Sequence, residues 1–205
     1  MVRTSKSIRA AVDALASREP AFARVVETLG HPEPRASDPG ATTLLRTIVG
    51  QQVSVAAARS MWAKLEAAFG SPPDLKRLLA ASDGDLRAAG MSRQKAGYIR
   101  SLASLVVSGE LDLASLPEDD EEAIEVLTRI KGIGRWSAEI YLLFAEGRAD
   151  VFPAGDLAVV VEIGRLLGRK RRLSEKRLRQ LSEKWRPYRG AAAVLAWHSY
   201  NSSVL

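Results

Sequence analysis

Apolar residues recur every three or four positions along almost the whole chain, and this period restricts the possible folds more than any other feature. In SIRAAVDALASRE, residues 7–19, Ile8, Val12 and Leu15 would share one face of a helix. Segments with the same period continue as far as YRGAAAVLAWHSY, residues 188–200, and glycine closes many of them. The alternation typical of strands is almost absent. The sequence therefore predicts an all-α fold with about ten or more helices.

Breaks rich in proline, glycine and acidic residues separate the helical segments: HPEPRASDPG at 31–40, SPPD at 71–74, LPEDD at 116–120 and VFPAGD at 151–156. With 205 residues, 46% of them apolar and 26% charged, the chain can bury a core as one domain or as two packed lobes. The break at 31–40 is the best candidate for a boundary between lobes.

The sequence contains no cysteine, which excludes disulfide bonds, thiolate zinc sites and iron–sulfur clusters. Its first residues, MVRTSKSIRAAVDALASRE, carry charges every few positions and no uninterrupted apolar run. Such a segment is neither a signal peptide nor a membrane span. We therefore expect a cytoplasmic protein with no membrane partner.

Positive charge is concentrated between residues 165 and 189. This segment has eleven basic residues and two acidic ones, a net charge of +9 in a chain whose total is +6. Clustered Lys and Arg side chains favour a polyanion partner, because they gain affinity by releasing phosphate counterions. The run RKRR at 169–172 is equally typical of a solvated loop between helices, so both interpretations stay open.

Two glycines interrupt the helical pattern in LTRIKGIGRWSAEIYLL, residues 127–143. An apolar stripe that ends at Ile130 precedes them, and a second stripe begins at Trp136. Glycine permits positive φ and close backbone approach, so successive N–H groups can point outward at the positive end of the second helix. Such a concavity binds phosphate without reading sequence. An ordinary tight turn would use the same glycines, but the basic segment favours a phosphate site.

Four motifs in this order along the chain resemble the helix-hairpin-helix (HhH-GPD) DNA glycosylases, in particular the DNA-3-methyladenine glycosylase II type. They are IVGQQVSVAAARSMWAKL at 48–65, the segment 127–143, DVFPAGDLAV at 150–159 and EKWRPYRGAAAVLAW at 183–197. The N-terminal antiparallel sheet lobe of some relatives has no counterpart here. The resemblance implies the compact form of a two-lobe, all-α fold with the active-site cleft between the lobes. One lobe would be a helical bundle at 41–149, with the hairpin at about 123–145, and the other would combine 1–40 with 150–205.

By this resemblance Asp156 matches the family's catalytic aspartate. Its position after Pro-Ala-Gly and before an apolar helix also predicts a helix N-cap, and the two roles are compatible. A helix N-terminus favours an ionised carboxylate, the form that this chemistry needs. The implied reaction is hydrolysis of the N-glycosidic bond of a flipped-out alkylated purine such as 3-methyladenine or 7-methylguanine. No cofactor is expected for the chemistry.

Bifunctional relatives have a lysine just after the hairpin, whose amine attacks the sugar and leads to strand cleavage. This chain has Trp136 at that position, and Lys131 precedes the glycines. The resemblance therefore implies a monofunctional enzyme without lyase activity.

The resemblance also implies three groups of site residues. The base pocket would be formed by Trp136, Trp197 and Tyr141, whose electron-rich rings suit a cationic purine. DNA would be bound by Gly132, Ile133, Gly134, Arg135, Lys131, Arg171, Arg172, Gln51 and Gln52, with the last two where relatives insert a wedge into the duplex. A monovalent cation would be held by the backbone carbonyls of Thr128, Ile130 and Ile133.

Three alternative functions stay open at this point. The enzyme could act on another lesion, such as a deaminated purine or a mismatched base. A non-catalytic helix-hairpin-helix module would need the hairpin and the basic segment alone, and a helical protein–protein adaptor would need only amphipathic helices. The resemblance favours a monomer that acts on damaged double-stranded DNA in the bacterial cytosol or nucleoid.

Overall fold

The computed structural model describes residues 4–203, apart from the side chain of residue 203. Within these residues it contains α-helices and no strand, which confirms the predicted all-α class. The twelve α-helices of the described chain are α1 Ser5–Ala16, α2 Pro20–Leu29, α3 Ala41–Gly50, α4 Val55–Phe69, α5 Leu75–Ala80, α6 Asp83–Ala88, α7 Arg93–Val107, α8 Asp120–Thr128, α9 Arg135–Tyr141, α10 Leu157–Leu166, α11 Glu175–Ser182 and α12 Arg189–Ser203. A π-helical segment, Leu142–Glu146, follows α9, and a 3₁₀ turn, Glu183–Trp185, follows α11.

Short polar side chains begin most of these helices. Ser54 accepts a hydrogen bond from the amide of Ala57 and Ser92 accepts one from the amide of Lys95, both at 3.2 Å. Each bond satisfies one of the amides that a first helical turn leaves without a partner. Helices α2 and α4 end at glycines with positive φ.

The chain forms two compact units, and the first combines residues 1–37 with 142–205. In the described part of this unit, α1, α2 and α10 pack on α12, whose run from Ala191 to Ala196 is buried. Small side chains in that run allow the neighbouring helices to approach closely. Trp185 anchors the core, with ring centroids 5.0 Å from Phe22 and 6.0 Å from Phe152.

The second unit spans residues 38–141. Helix α3 lies at its centre and packs against α4, α7 and α9, while α5 and α6 pack on α7. Leu44, Leu45 and Ile48 of α3 are 0–1% exposed and form part of the core.

These bounds differ from the predicted lobes of 41–149 and 1–40 with 150–205. Residues 142–149 belong to the first unit. The physical reason is packing, because Leu143 is fully buried in the core that also contains Trp185 and α12. Its side chain lies so close to Gly190 that a Cβ there would be 2.6 Å away.

None of the helices in the described range 4–203 combines the length and the apolar character needed to cross a membrane.

Candidate active site and nucleic-acid interface

The predicted hairpin is present between α8, which ends at Thr128, and α9, which begins at Arg135. The amide of Ile133 donates to the carbonyl of Ile130 at 3.0 Å, and Gly132 has a φ of 86°. Both isoleucine side chains are buried, 0% and 3% exposed, so Ile133 can meet DNA only through its backbone. The glycine-permitted turn and two apolar anchors thus reverse the chain in six residues.

The two hairpin glycines have different tasks. A Cβ on Gly132 would lie 2.2 Å from the ring of Tyr98, so this glycine is required by the packing of the hairpin on α7. The amide of Lys131 also donates to Ser101 of α7 at 3.1 Å. Gly134, in contrast, has an ordinary negative φ and open space around its Cα among the described residues.

Free backbone donors lie at the start of α9. Among residues 4–203, the amides of Gly134 and Arg135 donate to no protein acceptor. First-turn amides without partners and the positive end of the helix dipole together favour an anion. The geometry of Gly134 leaves room for a phosphate to approach.

The side chain of Arg135 is engaged within the protein. It donates to Glu121 of α8 at 2.5 Å and to the buried carboxylate of Glu139 at 3.0 Å. The hydrogen bond to Glu121 and the charges of both carboxylates raise the pKa of Arg135 above its ordinary value. The side chain therefore links α8 to α9, and the role of Arg135 in DNA binding stays a prediction. Lys131 is exposed and makes no ion pair with the described residues, so no carboxylate competes with a phosphate for its ammonium group.

Gln51 and Gln52 form the loop between α3 and α4, which we call the wedge loop (residues 51–54). The side-chain amide of Gln51 donates to the carbonyl of Gly132 at 2.8 Å and so ties this loop to the hairpin. Gln52 is exposed and is the one non-glycine residue of the described chain with positive φ, 56°. This conformation is strained for a glutamine and turns its side chain away from the helical path.

A cavity of about 620 Å³ lies between the wedge loop, the hairpin and α7. Lys95 lines it and is 8% exposed, with Nζ donating to the carbonyl of Val49 at 2.6 Å. Burial lowers the pKa of Lys95. The sequence did not predict a role for this lysine, because in RQKAGYIR, residues 93–100, Lys95 has only the pattern of a polar residue on an amphipathic helix.

Asp156 is the N-cap of α10, as predicted. Its Oδ1 atom accepts the amide of Val159 at 3.0 Å. The preceding loop is fixed by Arg179, which donates to the carbonyl of Phe152 at 3.3 Å, and by the amide of Gly190, which donates to the carbonyl of Ala149 at 2.8 Å. The aspartate is thus presented by a rigid turn.

Trp197 lies next to Asp156. Its indole Nε1 donates to Oδ1 of Asp156 at 3.1 Å, and its ring centroid is 5.7 Å from that of Phe144. The sequence indicated an aromatic wall at this position, whereas the structure also shows a polar contact with the aspartate.

The two other predicted pocket aromatics differ from each other. Trp136, in the first turn of α9, is 47% exposed and can present its ring. Tyr141 is 3% exposed, and its hydroxyl accepts the amide of Gly40 at 2.7 Å. Tyr141 therefore belongs to the core of the second unit and fixes the start of α3. A ring with so little exposed surface argues against a stacking face, and the assignment of Tyr141 to the base pocket stays a prediction.

The basic segment divides into paired and unpaired charges. Five of its side chains form ion pairs with described carboxylates: Arg165, Arg179, Lys184, Arg186 and Arg189. The other six, which we call the basic loop cluster, are exposed and pair with no carboxylate of the described chain: Arg169, Lys170, Arg171, Arg172, Lys176 and Arg177. The uncompensated charge is therefore concentrated between residues 169 and 177.

The predicted cation ligands are the carbonyls of Thr128, Ile130 and Ile133. Helix α8 ends at Thr128, and carbonyls in a last turn lack partners in the helix. That of Ile130 accepts one amide and keeps a second lone pair. Neutral carbonyl oxygens of this kind suit a monovalent cation. In residues 4–203 no cluster of three or more His, Asp or Glu side chains could hold a metal ion.

Comparisons with known proteins agree with this geometry. Residues 45–187 match the family model described as HhH-GPD superfamily base excision DNA repair protein. The chain is 33% identical to DNA-3-methyladenine glycosylase 1 of Schizosaccharomyces pombe, over 75% of this chain and 69% of that protein. It is 30% identical to DNA-3-methyladenine glycosylase 2 of Escherichia coli, over 76% of this chain and 56% of that protein. It thus spans little more than half of the length of the E. coli relative.

Solved structures give the same result. A DNA-3-methyladenine glycosidase from Bacillus halodurans superposes with a TM-score of 0.86 at 30% identity, over 95% of this chain and 90% of that one. The 3-methyladenine DNA glycosylase of S. pombe in complex with abasic DNA superposes with a TM-score of 0.78 at 28% identity, over 95% and 97%. With the hairpin, the capping aspartate and a family match over most of its length, this chain belongs to the HhH-GPD superfamily of base excision DNA repair proteins.

Proposed function

We propose that this protein is a DNA glycosylase that hydrolyses the N-glycosidic bond of alkylated purines of the 3-methyladenine or 7-methylguanine type. The observation that carries the proposal is Asp156, held at the N-terminus of α10 by the amide of Val159 and the indole of Trp197. The names of the relatives support the substrate class, and the solved complex with abasic DNA supports DNA as the substrate.

The carboxylate of Asp156 acts on the sugar. As the purine departs with the bonding electron pair, positive charge develops on the deoxyribose, as in other glycoside cleavages. A fixed anion stabilises that charge and also orients or deprotonates the attacking water. An alkylated purine is already cationic and leaves as a neutral base, so no strong general acid is required.

The hairpin and the basic loop cluster bind the DNA backbone. The free amides of Gly134 and Arg135 and the unpaired charge of Lys131 receive one phosphate. The basic loop cluster adds affinity that does not depend on sequence. A monovalent cation on the carbonyls of Thr128, Ile130 and Ile133 would add a further positive charge at the hairpin.

Two exposed side chains of the second unit, Trp136 and Gln52, act on base flipping and base binding. Trp136 offers an electron-rich face to a cationic purine, a contact with a typical stabilisation of about 0.5–2 kcal/mol. Gln52, turned outward by its positive φ, fills the gap that the flipped nucleotide leaves.

Hydrolysis leaves an abasic site without strand cleavage. Trp136 stands where bifunctional relatives have a lysine, and Lys131 lies on the other side of the glycines. Borohydride reduction during turnover should therefore trap no covalent protein–DNA adduct. A trapped adduct would show that an amine attacks the sugar and would overturn this part of the proposal.

The whole proposal is tested with a methylated duplex followed by hot alkali. Alkali-labile breaks that depend on protein, and that Asp156→Asn abolishes, are expected. Retarded DNA without breaks would instead identify a non-catalytic binding module. A duplex with a deaminated purine, run in parallel, reports whether another lesion is the better substrate.

A further inference from the structure

We propose that Trp197 is a positioning residue for Asp156, in which the indole N–H and not the aromatic face makes the essential contribution. This inference rests on the proposed function, because it assigns a task to a neighbour of the catalytic carboxylate. It replaces the expectation that Trp197 serves chiefly as a stacking wall.

Two hydrogen bonds at Asp156 converge on one oxygen. Oδ1 accepts the amide of Val159 at 3.0 Å and the indole N–H of Trp197 at 3.1 Å. The first donor belongs to the helix that Asp156 caps, and any capping aspartate would have it. The second comes from α12, 41 residues away, and serves no helix end. Two donors in different directions fix the rotation of the carboxyl group, which a cap alone leaves free to swing.

The donor is itself held in place. Trp197 follows the buried run of α12 that ends at Ala196, and its ring packs against Phe144 with an interplanar angle of 36°. A rigid indole transmits the position of α12 to the carboxylate. Preorganised groups of this kind are worth most where charge develops in the transition state, because they need no reorganisation during the reaction.

The two possible tasks of Trp197 depend on different properties of the indole. Stacking on a cation depends on the electron density of the ring. Positioning depends on the N–H group. Two analogues inserted at residue 197 separate them: benzothienylalanine has sulfur in place of N–H and keeps a flat electron-rich ring, whereas 5,7-difluorotryptophan keeps N–H and has an electron-poor ring.

The measurement is a ratio of affinities that does not depend on which lesion is the substrate. One duplex contains a cationic pyrrolidine abasic analogue, which mimics the charged sugar, and the other contains the neutral tetrahydrofuran analogue. The unmodified protein should bind the pyrrolidine duplex more tightly. Benzothienylalanine should reduce this preference by about ten-fold or more, the usual scale for a hydrogen bond to a charged group, and difluorotryptophan should retain it.

A double-mutant cycle shows whether Trp197 acts through the aspartate. With Asp156→Asn the affinity for the pyrrolidine duplex should fall, and benzothienylalanine should then lower it no further. A merely structural role would give equal losses in both backgrounds and would lower the thermal midpoint.

The proposal is overturned if benzothienylalanine keeps the preference, if difluorotryptophan loses it, or if the losses add. Failure of the proposed function looks different, because the protein would then release no base from the methylated or deaminated duplexes while the affinity ratio would still report on Asp156 and Trp197.

Discussion

The side-chain amide of Gln51 donates a hydrogen bond of 2.8 Å to the backbone carbonyl of Gly132, 81 residues further along the chain. This bond joins the wedge loop to the hairpin turn, so the loop that we propose to enter the duplex and the turn that we propose to bind its backbone are fixed relative to each other. We expect Gln51→Leu to lower the free energy of unfolding by about 1 kcal/mol. It should also slow base extrusion, measured by the fluorescence of 2-aminopurine next to a lesion.

Gln52→Ala is the matched control, since it should slow extrusion and leave stability unchanged. Normal extrusion in Gln51→Leu would show that the bond does not position the loop.

Replacements of Asp156 should separate chemistry from helix capping. Asparagine is as good an N-cap as aspartate, so Asp156→Asn should lower single-turnover base release by about two or more orders of magnitude without loss of stability. Asp156→Ala should lose the same rate and, in addition, about 0.5–2 kcal/mol of stability. Thermal unfolding and single-turnover kinetics give both values. Equal rates in Asp156→Asn and the unmodified protein would remove Asp156 from the mechanism.

The two hairpin glycines should respond differently to alanine. Gly132→Ala should destabilise the protein by about 1–3 kcal/mol, because its Cβ would collide with the ring of Tyr98 at a positive φ. Gly134→Ala has space for its methyl group and should leave stability unchanged, but should weaken binding to damaged and undamaged duplexes alike. Urea unfolding and fluorescence anisotropy would detect the difference. Undiminished affinity in Gly134→Ala would mean that no phosphate approaches this glycine.

The basic loop cluster should carry the salt dependence of binding. Replacing Arg171 and Arg172 by glutamine should reduce the slope of log affinity against log salt by up to about 0.9 per lost phosphate contact. Arg186→Gln is the control within the same segment, since Arg186 is paired with Asp150 and Glu183 and should affect stability instead. An unchanged slope in the double variant would mark residues 169–172 as a solvated loop.

Glu162 should make stability depend on pH. Burial raises the pKa of Glu162, but hydrogen bonds from Arg165 and Ser199 and the charge of Arg165 lower it by more, so the folded value lies below the ordinary 4.5. Its contribution is therefore present above about pH 4.5 and is lost as the pH falls through the folded pKa. Glu162→Gln should cost about 1–2 kcal/mol at neutral pH, and the difference should shrink in acid. A constant difference in urea unfolding between pH 7 and pH 3 would contradict this assignment.

Local patterns made the helices, the hairpin and the capping role of Asp156 predictable. Each depends on residues close together in sequence, such as the glycines that permit the turn or the short carboxylate before an apolar helix.

Contacts between distant segments were not predictable. Three such contacts depend on how the helices pack. The ring of Tyr98 leaves no room for a Cβ at residue 132, the indole of Trp197 donates to Asp156, and Arg135 pairs with two glutamates. Tyr141 shows the same limit, since an aromatic residue after the hairpin has the same sequence signature whether it lines a pocket or supports α3. The net charge of residues 165–189 likewise could not show which basic side chains form ion pairs within the protein.

The first unit is built from two segments that lie on either side of the second unit in the sequence. This arrangement affects the order in which the two units can fold. Helices α1 and α2 are synthesised before the second unit, yet their buried faces pack on α12, which is synthesised after it. Residues 38–141 form a contiguous unit and can fold earlier, while Ile8 and Phe22 cannot be buried against α12 until α12 has been synthesised. Contacts of such long sequence separation form slowly, so burial of the apolar faces of α1 and α2 depends on how soon α12 packs against them.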